Sequence, residues 1–173
     1  MNVLQLFKNI TCFVFDVDGV LTDGKLLLLD DGQMARTMNI KDGYALQLAV
    51  IKKYQVLIIS GSRLSAAEQR LQRLGITDVH FNIKDKAALL QQFLIDKNLR
   101  KDQVLYMGDD IPDLEALQLC GLGCCPADAV PEVQAASTYI SVLKGGEGCV
   151  RDVIEKTLKL RGDWHHTEEA NSR

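Results

Sequence analysis

The chain has 173 residues, one domain's length, with 47% hydrophobic and 25% charged residues, a globular composition that excludes a disordered chain. Lys+Arg 20 against Asp+Glu 23 leaves a net charge of −3, without the concentrated basic face of a nucleic-acid binder. Apolar runs such as Cys12–Phe15 and Val56–Ile59 stop at four residues, far short of the roughly 20 that span a bilayer, so no membrane partner is expected.

The N-terminus, MNVLQLFKNI, has no basic start, extended apolar stretch or small-residue cleavage site, so a cytoplasmic protein is expected. Five cysteines (12, 120, 124, 125 and 149), odd in number and mostly in apolar segments, read as reduced thiols in that compartment. Thr11–Val17 reads as a buried strand that ends in Asp-Gly. Lys25–Leu29 and Gln33–Asn39 read as a β-hairpin turning at Asp30-Asp31-Gly32. A helix over Gly43–Lys53 leads into the strand Val56–Ile59, which ends at Ser60-Gly61. Ser65-Ala66-Ala67-Glu68 is a capping box opening a helix that stops at Gly75. A short strand at Val79–Phe81 precedes a helix from Lys86 to Asn98, with Leu90 and Leu94 on one face. Val104–Met107 is a strand running into Gly108-Asp109-Asp110. A helix follows over Pro112–Cys120, then strands at Leu122–Cys125 and Tyr139–Val142. Val150, Val153, Ile154, Thr157 and Leu158 mark the apolar stripe of a closing helix. Short apolar runs alternating with amphipathic ones predict an α/β domain, a doubly wound parallel sheet with a small hairpin insertion at about 25–39. Residues 1–160 form this single domain, and 161–173 are a polar tail expected to be disordered.

The residues with chemical potential fall where strands end, the edge at which open parallel sheets bind ligands. Asp16 and Asp18 lie on one side of an extended segment, and such like charges repel unless a cation sits between them. They leave the run Cys12-Phe13-Val14-Phe15, so they emerge from the middle of the sheet. Asp109, Asp110 and Asp113 bring a second acidic group to another strand end. Together these form an oxygen-only set suited to Mg²⁺ rather than zinc or copper. Ser60, beside Gly61, and Lys86, at the start of a helix, would donate to phosphate oxygens. An aspartate nucleophile, Mg²⁺ and fixed phosphate donors make a phosphoryl-transfer site.

The order DVDGVLTDG (16–24), IISG (58–61), Lys86 and GDD (108–110) with Asp113 resembles the haloacid dehalogenase superfamily of aspartyl-phosphate phosphatases, a Rossmann-like fold. The resemblance covers residues 11–160, with Ser60 in place of the commoner Thr. It implies that Asp16 is the nucleophile and Asp18 the general acid and base. It also implies that Ser60, Gly61 and Lys86 bind phosphate. Asp16, the Asp18 carbonyl and Asp109 would hold Mg²⁺, supported by Asp110 and Asp113. Residues 19–59 and 61–85 leave no room for a cap domain, and the first gap holds the hairpin instead. That arrangement, with NIKDGYAL (39–46) and GGEGCVRD (145–152), is similar to the capless sugar-phosphatase branch. Its members are tetramers whose subunits cover one another's sites, and they act on acidic keto-sugar phosphates of eight or nine carbons. The eight-carbon substrate of lipopolysaccharide precursor synthesis is the first expectation. Lys41, where the branch often has Arg, stands as a substrate contact with Ser62, Arg63 and Gly146. A phospho-receiver domain or a non-catalytic oligomerisation module are the readings from other classes. Asp18 argues against a receiver, which needs no acid or base two residues past its phosphorylated aspartate. His80, His165 and His166 carry no assigned role.

Overall fold

The computed structural model describes residues 2–63, 66–167, 169 and 170. Strand β1 (Cys12–Phe15) is buried along its whole length, so every side chain is apolar. It lies between β4 (Gln55–Ile59) and β6 (Val104–Met107), paired in parallel to both. Beyond β4 comes β5 (Asp78–His80), and beyond β6 come β7 (Leu122–Cys125) and β8 (Tyr139–Ile140), giving six parallel strands.

Alternation along the strands sorts their side chains into two cores. Phe13, Phe15, Ile58, Leu105 and Met107 join the core beneath α1 (Val3–Asn9), α2 (Ile40–Ile51), α3 (Ala66–Arg73) and α7 (Cys149–Arg161). Val14, Leu57, Ile59 and Tyr106 join the other, beneath α4 (Lys86–Asp96), α5 (Leu114–Leu119) and α6 (Pro131–Ala136). The sheet is therefore doubly wound. Phe15 is level with Ile58 and Met107, so Asp16, Ser60 and the 108–110 turn all leave the sheet at one edge.

Between β1 and α2 the chain forms only a wide turn, Val17–Leu21, and the hairpin β2 (Leu27–Leu28) and β3 (Met34–Ala35). Leu27 pairs with Ala35 and Leu28 with Met34. The Asp30-Asp31-Gly32 reversal is as expected: Gly32 has φ +83°, and the Gln33 N–H donates to the Asp31 side chain. Leu27 is 64% and Leu28 71% exposed.

Several elements differ from the expectations. Helix α2 starts at Ile40, not Gly43, because the Asn39 side chain accepts the Lys41 N–H at 2.8 Å and caps it there. Helix α1 was not expected: Asn2 caps it, and its Phe7 is fully buried, edge-on to Tyr139 with ring centroids 5.3 Å apart. Pro131 opens α6, also unexpected, at a position where no backbone donor is lost. Ser65 of the expected capping box lies outside the described residues.

The tail expected to be disordered is packed over its described part. Tyr54 donates to Asp163 at 2.6 Å, Trp164 stands edge-on to Tyr44, and Ala170 is buried. The count of polar residues there hid one large apolar ring whose burial repays ordering the chain.

Candidate active site

The three strand ends meet in a cleft of about 550 Å³ lined by Asp16, Asp18, Ser60, Gly61, Ser62, Lys86 and the 109–113 acids. At its floor Lys86, only 6% exposed, places Nζ 3.0 Å from Asp16 Oδ1 and 2.7 Å from Asp113 Oδ1. Asp113 holds this group together. Its Oδ1 also receives the buried Tyr106 hydroxyl at 2.6 Å, and its Oδ2 accepts the Asp109 and Asp110 N–H groups at 3.1 and 3.3 Å. A buried triad of this kind is tolerable only because each charge is met, and removing one member strands the others.

Burial and mutual repulsion raise the acids of the cleft. Burial pushes Asp109 up to about 7, and Asp16, Asp113 and Asp110 add to it beyond what Lys86 offsets. Asp16 is raised to about 7 by burial and by Asp113, against the pull of Lys86. For Lys86 burial works downward, yet Asp16 and Asp113 outweigh it and leave the ammonium raised.

Carboxylate oxygens of Asp16, Asp109 and Asp113 lie within 4.8 Å of one another. Asp113 is already saturated by donors, whereas Asp109 Oδ1 is buried with no partner at all. An orphaned carboxylate oxygen beside Asp16 fits a hard divalent cation held between Asp16 and Asp109. Gly19 makes the close approach possible. With φ +89° it turns the chain back beside Asp109, and a Cβ there would stand 2.0 Å from the Asp109 carboxylate. Thr22, fully buried, ties that turn by accepting the Gly19 and Gly24 N–H groups, each at 3.3 Å.

Ser60 is buried, its N–H donating to the His80 carbonyl at 2.8 Å, with its Oγ 2.8 Å from Ser62 Oγ. Asp110 sits at the rim and caps the Ile111–Asp113 turn.

Three of the expected substrate contacts are not among the residues lining this cleft. Lys41 lines a separate cleft with Gly148 and Arg151; Gly146 packs under the Thr22-Asp23 backbone; Arg63 is exposed outside the cleft.

One residue was missed. Arg36, just past β3, donates Nε to Asp18 Oδ1 at 2.5 Å and Nη2 to Oδ2 at 3.4 Å. Nothing in the sequence pairs residues 18 and 36; only the fold of the hairpin against the turn brings them together.

Comparison with known proteins agrees with this geometry. Residues 75–151 match the haloacid dehalogenase-like hydrolase family. The chain is 33% identical over 165 residues to the 3-deoxy-D-manno-octulosonate 8-phosphate phosphatase of Yersinia pestis, covering 93% of this chain and 88% of that one. The Escherichia coli K12 protein of the same name is 31% identical over 161 residues, covering 93% of this chain and 86% of that one. A crystal structure of the Moraxella catarrhalis phosphatase, in complex with magnesium, phosphate and KDO, aligns with a TM-score of 0.90 at 30% identity. That alignment covers 94% of this chain and 93% of the other.

Proposed function

We propose, from its membership of the haloacid dehalogenase-like hydrolases and of the 3-deoxy-D-manno-octulosonate 8-phosphate phosphatase family, that this chain hydrolyses that sugar phosphate. The observation that carries the chemistry is the Asp16–Lys86–Asp113 triad at 3.0 and 2.7 Å beside the orphaned Asp109 oxygen. Asp16 attacks phosphorus in line, and its carboxylate oxygen takes the phosphoryl group as the bond to the sugar oxygen breaks. Asp18 gives a proton to the departing oxygen. The same carboxylate then takes a proton from the water that cleaves the aspartyl phosphate, restoring Asp16 and releasing inorganic phosphate. Lys86 and Ser60 hold the phosphoryl oxygens during both transfers. Mg²⁺, held by Asp16, Asp109 and the Asp18 carbonyl, supplies positive charge against the phosphoryl oxygens when bound.

The names of the relatives support this substrate, and a cleft of about 550 Å³ is consistent with it. The nine-carbon acid-sugar phosphates are the competing substrates. Five free cysteines support a reducing, cytoplasmic setting, and no helix among the described residues is long and apolar enough to cross a membrane. The exposed hairpin leucines support a homotetramer in which a neighbour closes each site.

Phosphate release with Mg²⁺ over a panel of eight-, nine- and six-carbon sugar phosphates tests the reading. The eight-carbon substrate should have the highest kcat/KM by roughly tenfold or more, a margin that additional substrate contacts provide. Asp16→Asn should be inactive on all of them. Release by Asp16→Asn at the wild-type rate would sink the mechanism, and a preference for a neutral six-carbon sugar would sink the substrate.

A further inference from the structure

Gly19, whose turn carries the Asp18 carbonyl, is gripped from two sides. On one side stands the Asp109 carboxylate. On the other, a Cβ added to Gly145 would lie 1.9 Å from the Gly19 carbonyl oxygen. The Asp109 carboxylate, the Gly19 backbone and the Gly145 backbone are thus stacked layers with no room for a methyl group. Gly146 extends the contact: its N–H donates to the Val20 carbonyl at 2.9 Å, and a Cβ there would stand 2.6 Å from the Asp23 nitrogen. The metal-binding turn therefore rests against the loop 145–148.

That loop is anchored in turn by α7. Gly148 precedes the helix at φ +112° and offers no side chain to cap it. The cap comes from another helix. Asp42 of α2, almost wholly buried, accepts the Arg151 N–H on Oδ1 at 2.7 Å. Its second oxygen is buried without a partner. Three residues before Asp42, Asn39 donates its Nδ2 to the Gly146 carbonyl at 3.2 Å. The start of α2 thus fastens the glycine loop at Gly146 and the helix that follows it at Arg151. A surface residue at the helix start would cap α7 without burying an orphaned oxygen, so the buried carboxylate answers a need for position.

We propose that Asp42 is a positioning residue for the active site: by clamping the start of α7 it seats the 145–148 loop on Gly19 and so sets the Asp18 carbonyl against Asp109. Only the kinetic part of its test rests on the phosphatase reading. Asp42→Ala should lower kcat about tenfold with KM within about threefold, and weaken Mg²⁺ binding in titration calorimetry about tenfold, the scale of losses when a ligand's support is removed. Amide exchange should rise in residues 17–24 as well as 145–152. Asp42→Asn, which keeps an acceptor for the Arg151 N–H, should restore kcat and Mg²⁺ affinity to within about threefold of wild type. Leu90→Ala, which opens a cavity on the opposite face of the sheet, gives the effect of lost stability alone. Exchange that rises only in 145–152, with kcat and Mg²⁺ affinity like those of Leu90→Ala, would reduce Asp42 to a helix cap and overturn the proposal. Should Asp42→Ala not fold, Gly146→Ala presses the same loop from its other end. Unchanged Mg²⁺ affinity and exchange at 17–24 in that variant would overturn the proposal equally. A wild-type protein without phosphatase activity would defeat the functional reading, while the Mg²⁺ and exchange measurements would still decide this one.

Discussion

Arg36 and Asp18 show how much a single ion pair can control. Both oxygens of the Asp18 carboxylate face the guanidinium, whose planar fork fixes the plane of the carboxyl group as well as its place. A general acid must meet the leaving oxygen at hydrogen-bond distance, so a side chain free to turn about its χ angles spends most of its time misaligned. Arg36→Ala should therefore lower kcat about tenfold and leave KM within about threefold, because Arg36 is not among the phosphate donors. Arg36→Lys, with one compact donor in place of two, should recover part of the loss. Steady-state kinetics of the two variants check this, and wild-type kcat in Arg36→Ala would contradict it. The same logic separates Asp113 from Asp109. Asp113 is filled by Lys86, Tyr106 and two backbone N–H groups, while Asp109 keeps a bare oxygen. Two acids three residues of turn apart thus take different work, one organising the site and one left open for a cation.

At the scale of elements the hairpin is the part with unmet surface. Leu27 and Leu28 pair across to Ala35 and Met34 in a two-stranded ribbon that has no third strand among the described residues. Such a ribbon is marginal alone, and leucines this exposed in a folded chain fit the proposed contact with another copy. Burying on the order of 100 Å² on each leucine stabilises association by roughly 2.5 kcal/mol per side chain before entropy is counted. Leu27→Asp combined with Leu28→Asp should convert a tetramer to smaller species and raise KM, although neither side chain reaches phosphate. Light scattering with parallel kinetics tests it: a fully active monomer of the unmutated chain would remove the hairpin's role. Arg36 links this element to chemistry, since it follows β3 directly, and any shift of the hairpin moves the partner of Asp18.

For the whole molecule, the two acids pushed up to about 7 set a pH dependence with a definite sign. A carboxyl whose folded-state value lies above its unfolded one binds more protons when folded. Its protonated form supports the fold at low pH, and that support is lost as pH rises from about 4 through about 7. Metal-free protein should therefore melt lower at pH 7.5 than at pH 5.5. Mg²⁺, which binds only the ionised acids, should raise the melting temperature at pH 7.5 by several degrees and at pH 5.5 by much less. Asp42, raised to about 6 by burial, slopes the same way but is not a ligand, so the slope it adds should survive in Asp109→Asn while the Mg²⁺ response does not. Calorimetric melting in the presence and absence of chelator checks this. An equal Mg²⁺ shift at both pH values would exclude the acid pair as the binding site.

The sequence by itself determined the parallel sheet, the positions of its central strands and the identity of the acids at their ends. Those features are local: a run such as Cys12–Phe15 is buried on both faces or not at all, and the residue after it must leave the sheet. Asp16, Asp18, Ser60, Lys86 and Asp109 were legible for that reason, each tied to the end of a strand or the start of a helix. What only the tertiary structure decided is where the remaining side chains point. Lys41 lines another cleft, and Gly146 packs under the Thr22-Asp23 backbone. Arg36, which no motif marks, and Asp42, to which the NIKDGYAL motif gave no role, reach Asp18 and the start of α7 across 18 and 109 residues of chain. Periodicity reports which face of an element is buried, but not which element covers it, and these pairings exist only once the hairpin and two helices have packed.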